Sequence, residues 1–252
     1  MTIDYQKDGA IATIRLNRPE KMNALTLAMY DELGRAFAEA NRDDEINVVV
    51  LTGAGERAFS VGADLTESIP ALAEGRFDIS HWDPAHLKVE GFYKPVIAAI
   101  RGLCIGGGFE IMLATDIRIA ARDAQFQLPE PQHGFVPAGG TLVRLVRQIG
   151  YAHAMELMLT GERFSAPDLL ARGVVNRVVE AADVEPVAFE LADRIARLSP
   201  GAVQTIKEAA LTLQHLPLND AFAREAVLGQ RTFESEDARR GLAAFANRGK
   251  SA

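Results

Sequence analysis

The apolar positions of this chain fall into two regimes. Through the first two-thirds, short aliphatic and β-branched runs read as strands: Ile11 to Leu16, Val48 to Thr52, Val96 to Ile100, Ile117 to Ala120 and Val174 to Val179. Several are continuous rather than alternating, which predicts strands covered on both faces, as in α/β proteins. Between the first two, Thr26 is placed to cap a helix that carries Leu27, Tyr30, Leu33 and Phe37 on one face. Glycines follow the strands, Gly53 and Gly55 after one, Gly102 with Gly106, Gly107 and Gly108 after another. Turns there are tight, or a ligand approaches the backbone. From about Asp183 the period changes. Val184, Val187, Leu191, Ile195 and Leu198 repeat at helical spacing as far as Ser199-Pro200-Gly201, and Val203, Ile206, Ala210 and Leu213 open another helix. Phe222, Ala226 and Phe233, then Ala238, Leu242 and Phe245, extend the pattern. An α/β body with an all-helical tail is predicted. The irregular stretch Thr66 to Lys94 reads as a candidate lid.

Composition narrows the function classes. With 252 residues, 27 Lys and Arg against 34 Asp and Glu, and a formal charge of −7, the chain is ordinary for a globular protein of one large domain, or of one domain with an appendage. The acidic excess argues against nucleic acid as the main partner and leaves an anionic small ligand open, since a few local donors hold a phosphate. The single cysteine, Cys104, excludes an intrachain disulfide and a multi-cysteine zinc site. The start, MTIDYQKDGA, has no signal-peptide pattern and no apolar run approaches the roughly 18 residues of a membrane span, so a cytoplasmic protein with no membrane partner is expected. His81, Asp83 and His86 offer metal-ligand types but no fourth ligand, and no metal is expected.

The glycine loops fail three familiar chemistries. A phosphate loop needs GxxxxGK followed by Ser or Thr, and Gly249-Lys250-Ser251 lacks the upstream glycine. A dinucleotide fingerprint starting at Gly106 needs glycine where Ile111 stands. A nucleophile elbow around Ser60 has Ala58 in place of its first glycine. What remains is a pair of turns, AFSVGADL (Ala58 to Leu65) and RGLCIGGGFEIMLATDIRIA (Arg101 to Ala120). In the second, a strand runs through the triple glycine into a segment favouring helix, Phe109 to Ala114. Free N–H groups at that helix start suit an anion or a carbonyl oxygen.

Together with NRPEKMNAL (Asn17 to Leu25) and QLPEPQHGFVPAGGT (Gln127 to Thr141), these turns resemble the crotonase superfamily, closest to its enoyl-CoA hydratases. Later matches at LTGERFSAPDLLARGVVNRVV (Leu159 to Val179) and SEDARRGLAAF extend the resemblance over nearly the whole chain. It implies a spiral of repeated ββα units over residues 1–195 that binds acyl-CoA, and a helical domain over 196–252 that assembles a homotrimer or a dimer of trimers. It implies a hydro-lyase with no separate cofactor, coenzyme A being part of the substrate.

Residue by residue, the resemblance makes the backbone N–H groups of Ala63 and Gly107 an oxyanion hole, and Glu110 and Glu130 the catalytic acids. Alone, each turn reads as ordinary tight backbone and Glu110 as a residue suited to a first helical turn. The coenzyme's adenine is expected around Met22, Ala24, Val61, Gly62, Asp64 and Leu65; Gly106, Pro129 and His133 are further substrate-binding candidates, His133 as a hydrogen-bond partner of the substrate or of a catalytic acid, and Lys21, Arg248 and Lys250 are phosphate candidates. Trp82 and Phe77 are candidates for the acyl tunnel, and Asp116 for fixing a turn. Both acids favour hydration over isomerisation; isomerisation, dehydration of a hydroxyacyl-CoA such as carnitinyl-CoA, and thioester or β-diketone hydrolysis stay open, as does a non-catalytic scaffold. The stretch Pro137-Ala138-Gly139-Gly140 is one residue shorter than in many hydratases, which leaves the acyl group undetermined.

Overall fold

The computed structural model describes residues 2–248. Two sheets organise it. The larger has the order β1 (Ile3–Asp8), β2 (Ile11–Leu16), β3 (Val48–Gly53), β5 (Val96–Ile100), β7 (Ile117–Ala121) and β10 (Arg177–Val179); the smaller has the order β4 (Ala58–Ser60), β6 (Leu103–Ile105), β8 (Gln125–Gln127) and β9 (Arg163–Ser165). Only the outer pairs β1·β2 and β8·β9 are antiparallel. The chain alternates between the sheets: β3 then β4, β5 then β6, β7 then β8. Each excursion leads into helical structure, α2 (Ser68–Ala73) after β4 and α3 (Gly107–Leu113) after β6. This is a spiral of ββα turns, the predicted fold class.

Burial explains which strands the sequence reveals. Every residue of β3 and of β5 is buried, because α1 (Leu27–Arg42) and α7 (Val184–Ala196) belong to the layers that cover the larger sheet. Thr26 caps α1 as expected, its hydroxyl accepting from the Met29 N–H at 3.2 Å. The expected strand from Val174 is shortened. Val174 and Val175 are buried in the turn after α6 (Ala166–Ala171), the Val174 N–H donating to the Leu169 carbonyl, and pairing begins only at Arg177.

Helices α4 (Thr141–Gln148) and α5 (Tyr151–Thr160) lead into β9. After α7, α8 (Pro200–Thr212), α9 (Leu218–Phe233) and α10 (Glu236–Arg248) form the tail. Its link to the body is polar. Lys207 on α8 donates to Asp116 Oδ2 and to the Lys94 carbonyl, while Asp116 also accepts from the Val96 N–H, the turn-fixing role expected of it. Among the described residues no helix is long and apolar enough to cross a membrane.

The Thr66 to Lys94 stretch is a wall more than a lid. Trp82, Ala85, His86 and Phe92 are buried, and a short 3-10 turn, Ile79–Trp82, rests on α1.

Candidate active site

Parallel pairing of β4 with β6 sets the turns after the two strands side by side. Residues 22–25 run along the first turn: the Leu25 N–H donates to the Gly62 carbonyl and the Asp64 N–H to the Leu25 carbonyl, both at 2.8 Å. A parallel bridge of this kind uses the residues flanking Ala63 and leaves the Ala63 N–H out of the ladder. Gly107 opens α3, so its N–H has no acceptor within the helix. The two turns touch. A Cβ on Gly62 would lie 2.5 Å from the Gly107 nitrogen, and one on Gly107 would lie 3.4 Å from the Ala63 nitrogen. Only glycines allow the two N–H groups this proximity.

Both glutamates reach the same cavity of about 490 Å³, which Ala63 and Gly107 also line. Glu110 sits one helical turn into α3 and is clamped: its Oε1 accepts from the Gly139 N–H at 2.6 Å and from the Thr141 hydroxyl at 3.3 Å. Glu130 opens a 3-10 turn, Glu130–His133, and its Oε2 is buried with no hydrogen-bond partner. Burial, then the nearby Glu130 charge, drives the Glu110 carboxyl from 4.5 up to about 8. Burial takes Glu130 up to about 7. Both carboxyls are thus shifted toward the protonated form, so that around neutral pH the pair retains a proton that ordinary carboxyls would have lost.

The family described as enoyl-CoA hydratase/isomerase matches residues 6–252 of this sequence. The chain belongs to the enoyl-CoA hydratase/isomerase family. It is an enzyme of the crotonase type. A short-chain-enoyl-CoA hydratase of Clostridium acetobutylicum is 35% identical over 246 residues, 97% of this chain and 94% of the relative. A carnitinyl-CoA dehydratase of Escherichia coli strain K12 is 37% identical over 255 residues, 98% and 96% of the two chains. The crystal structure of an enoyl-CoA hydratase from Bacillus anthracis superposes with a TM-score of 0.92 at 36% identity, covering 98% of this chain and 97% of that one.

Within this family member, Met22, Ala24, Val61, Asp64, Leu65, Gly106, Pro129 and His133 all line the cavity; Gly62 does not, being buried against Gly107. The N–H groups of Met22, Ala24, Val61 and Asp64 are donated inside the protein, to the carbonyls of Pro19, Lys21, Met22 and Leu25, and the Ala24 carbonyl accepts from Arg18. Met22 has the left-handed φ of 53°, a strained conformation held from beside it by Asn23, whose amide donates to the Ala54 and Ala58 carbonyls. The Asp64 carboxylate braces the turn: hydrogen bonds from Thr66 and Arg18 hold it well below the usual carboxylate range. His133 is exposed at the rim, stacked on Phe135. Lys21 is exposed at the mouth; Lys250 lies outside the described residues, and Arg248 is the last residue of α10.

Sequence reasoning missed four contributors. Arg18 lines the mouth, Gly139 and Thr141 hold Glu110, and Tyr30, read as a core position on the apolar face of α1, also borders the cavity. Trp82 lines the cavity as expected, with Phe77 packed on it at a ring separation of 5.6 Å. His86, weighed as a metal ligand, instead donates from Nδ1 to the Trp82 carbonyl.

Proposed function

We propose that the protein adds water syn across a trans-2-enoyl-CoA to give a 3-hydroxyacyl-CoA. The observation that carries this reading is the pair of buried carboxyls, one clamped and one free, in the cavity that also presents two adjacent backbone N–H groups. The ionised carboxylate takes a proton from water as the hydroxyl oxygen bonds to the β-carbon. The electron pair of the double bond moves to the thioester oxygen, where the Ala63 and Gly107 N–H groups stabilise the charge. The protonated carboxyl then gives its proton to the α-carbon. Atoms and charge balance, and the two glutamates end the cycle having exchanged their proton. A syn outcome requires both carboxyls to act on the same face of the enoyl plane.

The coenzyme's adenine is assigned to the surface around Met22, Ala24, Val61 and Leu65, and its phosphates to Arg18 and Lys21 at the mouth. Residues 196–252 are assigned to assembly. Leu198, Ile206, Leu218, Phe222, Phe233 and Leu242 are exposed large apolar side chains along that tail, which further copies of the chain would cover.

Loss of the conjugated enoyl absorbance, with a product heavier by one water, is the expected result on incubation with trans-2-enoyl-CoA thioesters. An unchanged mass would indicate isomerisation, and free coenzyme A hydrolysis. Glu130→Gln should retain acyl-CoA binding and lose about 100-fold or more in turnover. Hydration at the wild-type rate by that variant would overturn the assignment.

A further inference from the structure

Beside the two glutamates, the cavity lining includes the aliphatic side chains of Ile69, Leu72, Ile79 and Ile105 and an aromatic cluster. There Tyr30 and Trp82 stack at 4.0 Å and 12°, and His86 stacks on Tyr30 at 5.6 Å. Each of the three has a buried polar atom with no hydrogen-bond partner: Tyr30 Oη, Trp82 Nε1 and His86 Nε2. Tyr30 and Trp82 are only 1% and 4% exposed, and both line the cavity. A plain hydrocarbon tail would leave these groups dry, desolvated without any compensating bond.

Both Tyr30 and Gly107 line the cavity, and Tyr30 Oη would lie 2.7 Å from a Cβ on Gly107, so the hydroxyl sits beside one of the two proposed oxyanion donors. Burial, and then the Glu110 and Glu130 charges, raise its pKa well above the ordinary phenol value and keep it a donor. The indole N–H is a donor at any pH. The ring faces are spent on one another, Trp82 on Tyr30 and Phe77, so Tyr30 and Trp82 offer the cavity donor edges rather than an open aromatic face for a cation; His86, behind them, has its proton on Nδ1 and a bare acceptor at Nε2.

We infer that the acyl pocket is built for a chain that carries a hydrogen-bond acceptor oxygen, read by the Tyr30 hydroxyl and the Trp82 indole N–H. The inference rests on the acyl-CoA reading above and specifies its substrate class: an oxygenated acyl group in place of a simple alkyl one.

The test is calorimetric binding of three saturated thioesters of equal length to the full-length protein: hexanoyl-CoA, 3-ethoxypropanoyl-CoA and 4-methoxybutanoyl-CoA. The last two replace one methylene by oxygen at successive positions. At least one oxygen analogue should bind about tenfold more tightly than hexanoyl-CoA. Tyr30→Phe should erase that preference by weakening the favoured oxygen analogue about tenfold more than hexanoyl-CoA, and should melt no lower than the wild type, since it removes only an unpartnered hydroxyl. Hexanoyl-CoA binding as tightly as both analogues to the wild type would overturn the inference. So would an equal loss for all three ligands in Tyr30→Phe, which would make the tyrosine a general positioning residue. None of these ligands can be hydrated, so the outcome is separable from the reaction. Failure of the wild type to add water to either hex-2-enoyl-CoA or 4-methoxybut-2-enoyl-CoA would count against the hydratase reading alone.

Discussion

Glu110 and Glu130 differ in how they are held, and that difference has a thermodynamic signature. A carboxyl whose folded pKa stands at about 8 against 4.5 makes the folded state the stronger proton binder across that interval. Its contribution to stability is complete below about pH 4.5 and is lost as the pH rises through 8; Glu130 acts in the same direction up to about 7. Glu110→Gln removes this titration while keeping an oxygen for the Gly139 N–H. Its unfolding free energy in urea should match the wild type near pH 5 and exceed it at pH 8 by ~1–3 kcal/mol, with little activity left. A constant difference between the two proteins from pH 5 to 8 would contradict the raised pKa. By itself each acid reads as an ordinary helix-start or loop residue, and the pair was legible only through the resemblance carried by the glycine turn and the Pro-Glu-Pro segment. Their clamp was not, because the Gly139 N–H reaches Glu110 across 29 residues of chain and nothing in PAGGT marks it as a donor. Tyr30 was legible as buried, since its place on the apolar face of α1 says so, but the hydroxyl at the end of its ring was not visible as a cavity group.

At the scale of elements, long and fully covered strands announced themselves and short ones did not. Strands β4, β6, β8 and β9 have three residues each, too few for a period, and their existence depends on pairing across the spiral. The edge strand β1 is half exposed and lost in a polar segment. The join between α3 and the larger sheet was equally hidden. The buried Arg118 guanidinium on β7 donates to the carbonyls of Met112, Leu113, Thr115 and Val174 and to Gln148 Oε1, closing the end of the helix that begins at Gly107. Arg118→Met should cost ~3–5 kcal/mol in denaturant unfolding, because several carbonyls lose their donor in a buried place. Arg118→Lys should rescue little of it, having no planar fork to span them. A loss below about 1 kcal/mol would show that solvent reaches those carbonyls.

For the whole molecule, the two regimes of hydrophobic spacing foretold the change from mixed α/β body to helical tail, and the structure places it after β10. The tail is thinly attached. No residue of α8 is fully buried, and Leu228 is the only fully buried one in α9. Phe222 and Phe233, at 59% and 76% exposed, are costly to leave in water. Sedimentation equilibrium should therefore report three or six chains per particle, and the double change Phe222→Asp with Phe233→Asp should shift it toward single chains. A wild type that sediments as one chain would refute assembly through the tail.

The touching turns at Gly62 and Gly107 also set the manner in which this enzyme can be damaged. Its proposed oxyanion donors are backbone atoms, which no substitution short of proline deletes. The site fails instead by addition: any side chain at Gly62 meets the Gly107 nitrogen, and any at Gly139 meets His86 and the Glu110 carboxyl. For the two glutamates, loss of function means losing an atom or a charge. For the backbone around them it means gaining a methyl group, so an alanine scan, designed to subtract, would act at these glycines as an insertion of mass into the reaction centre.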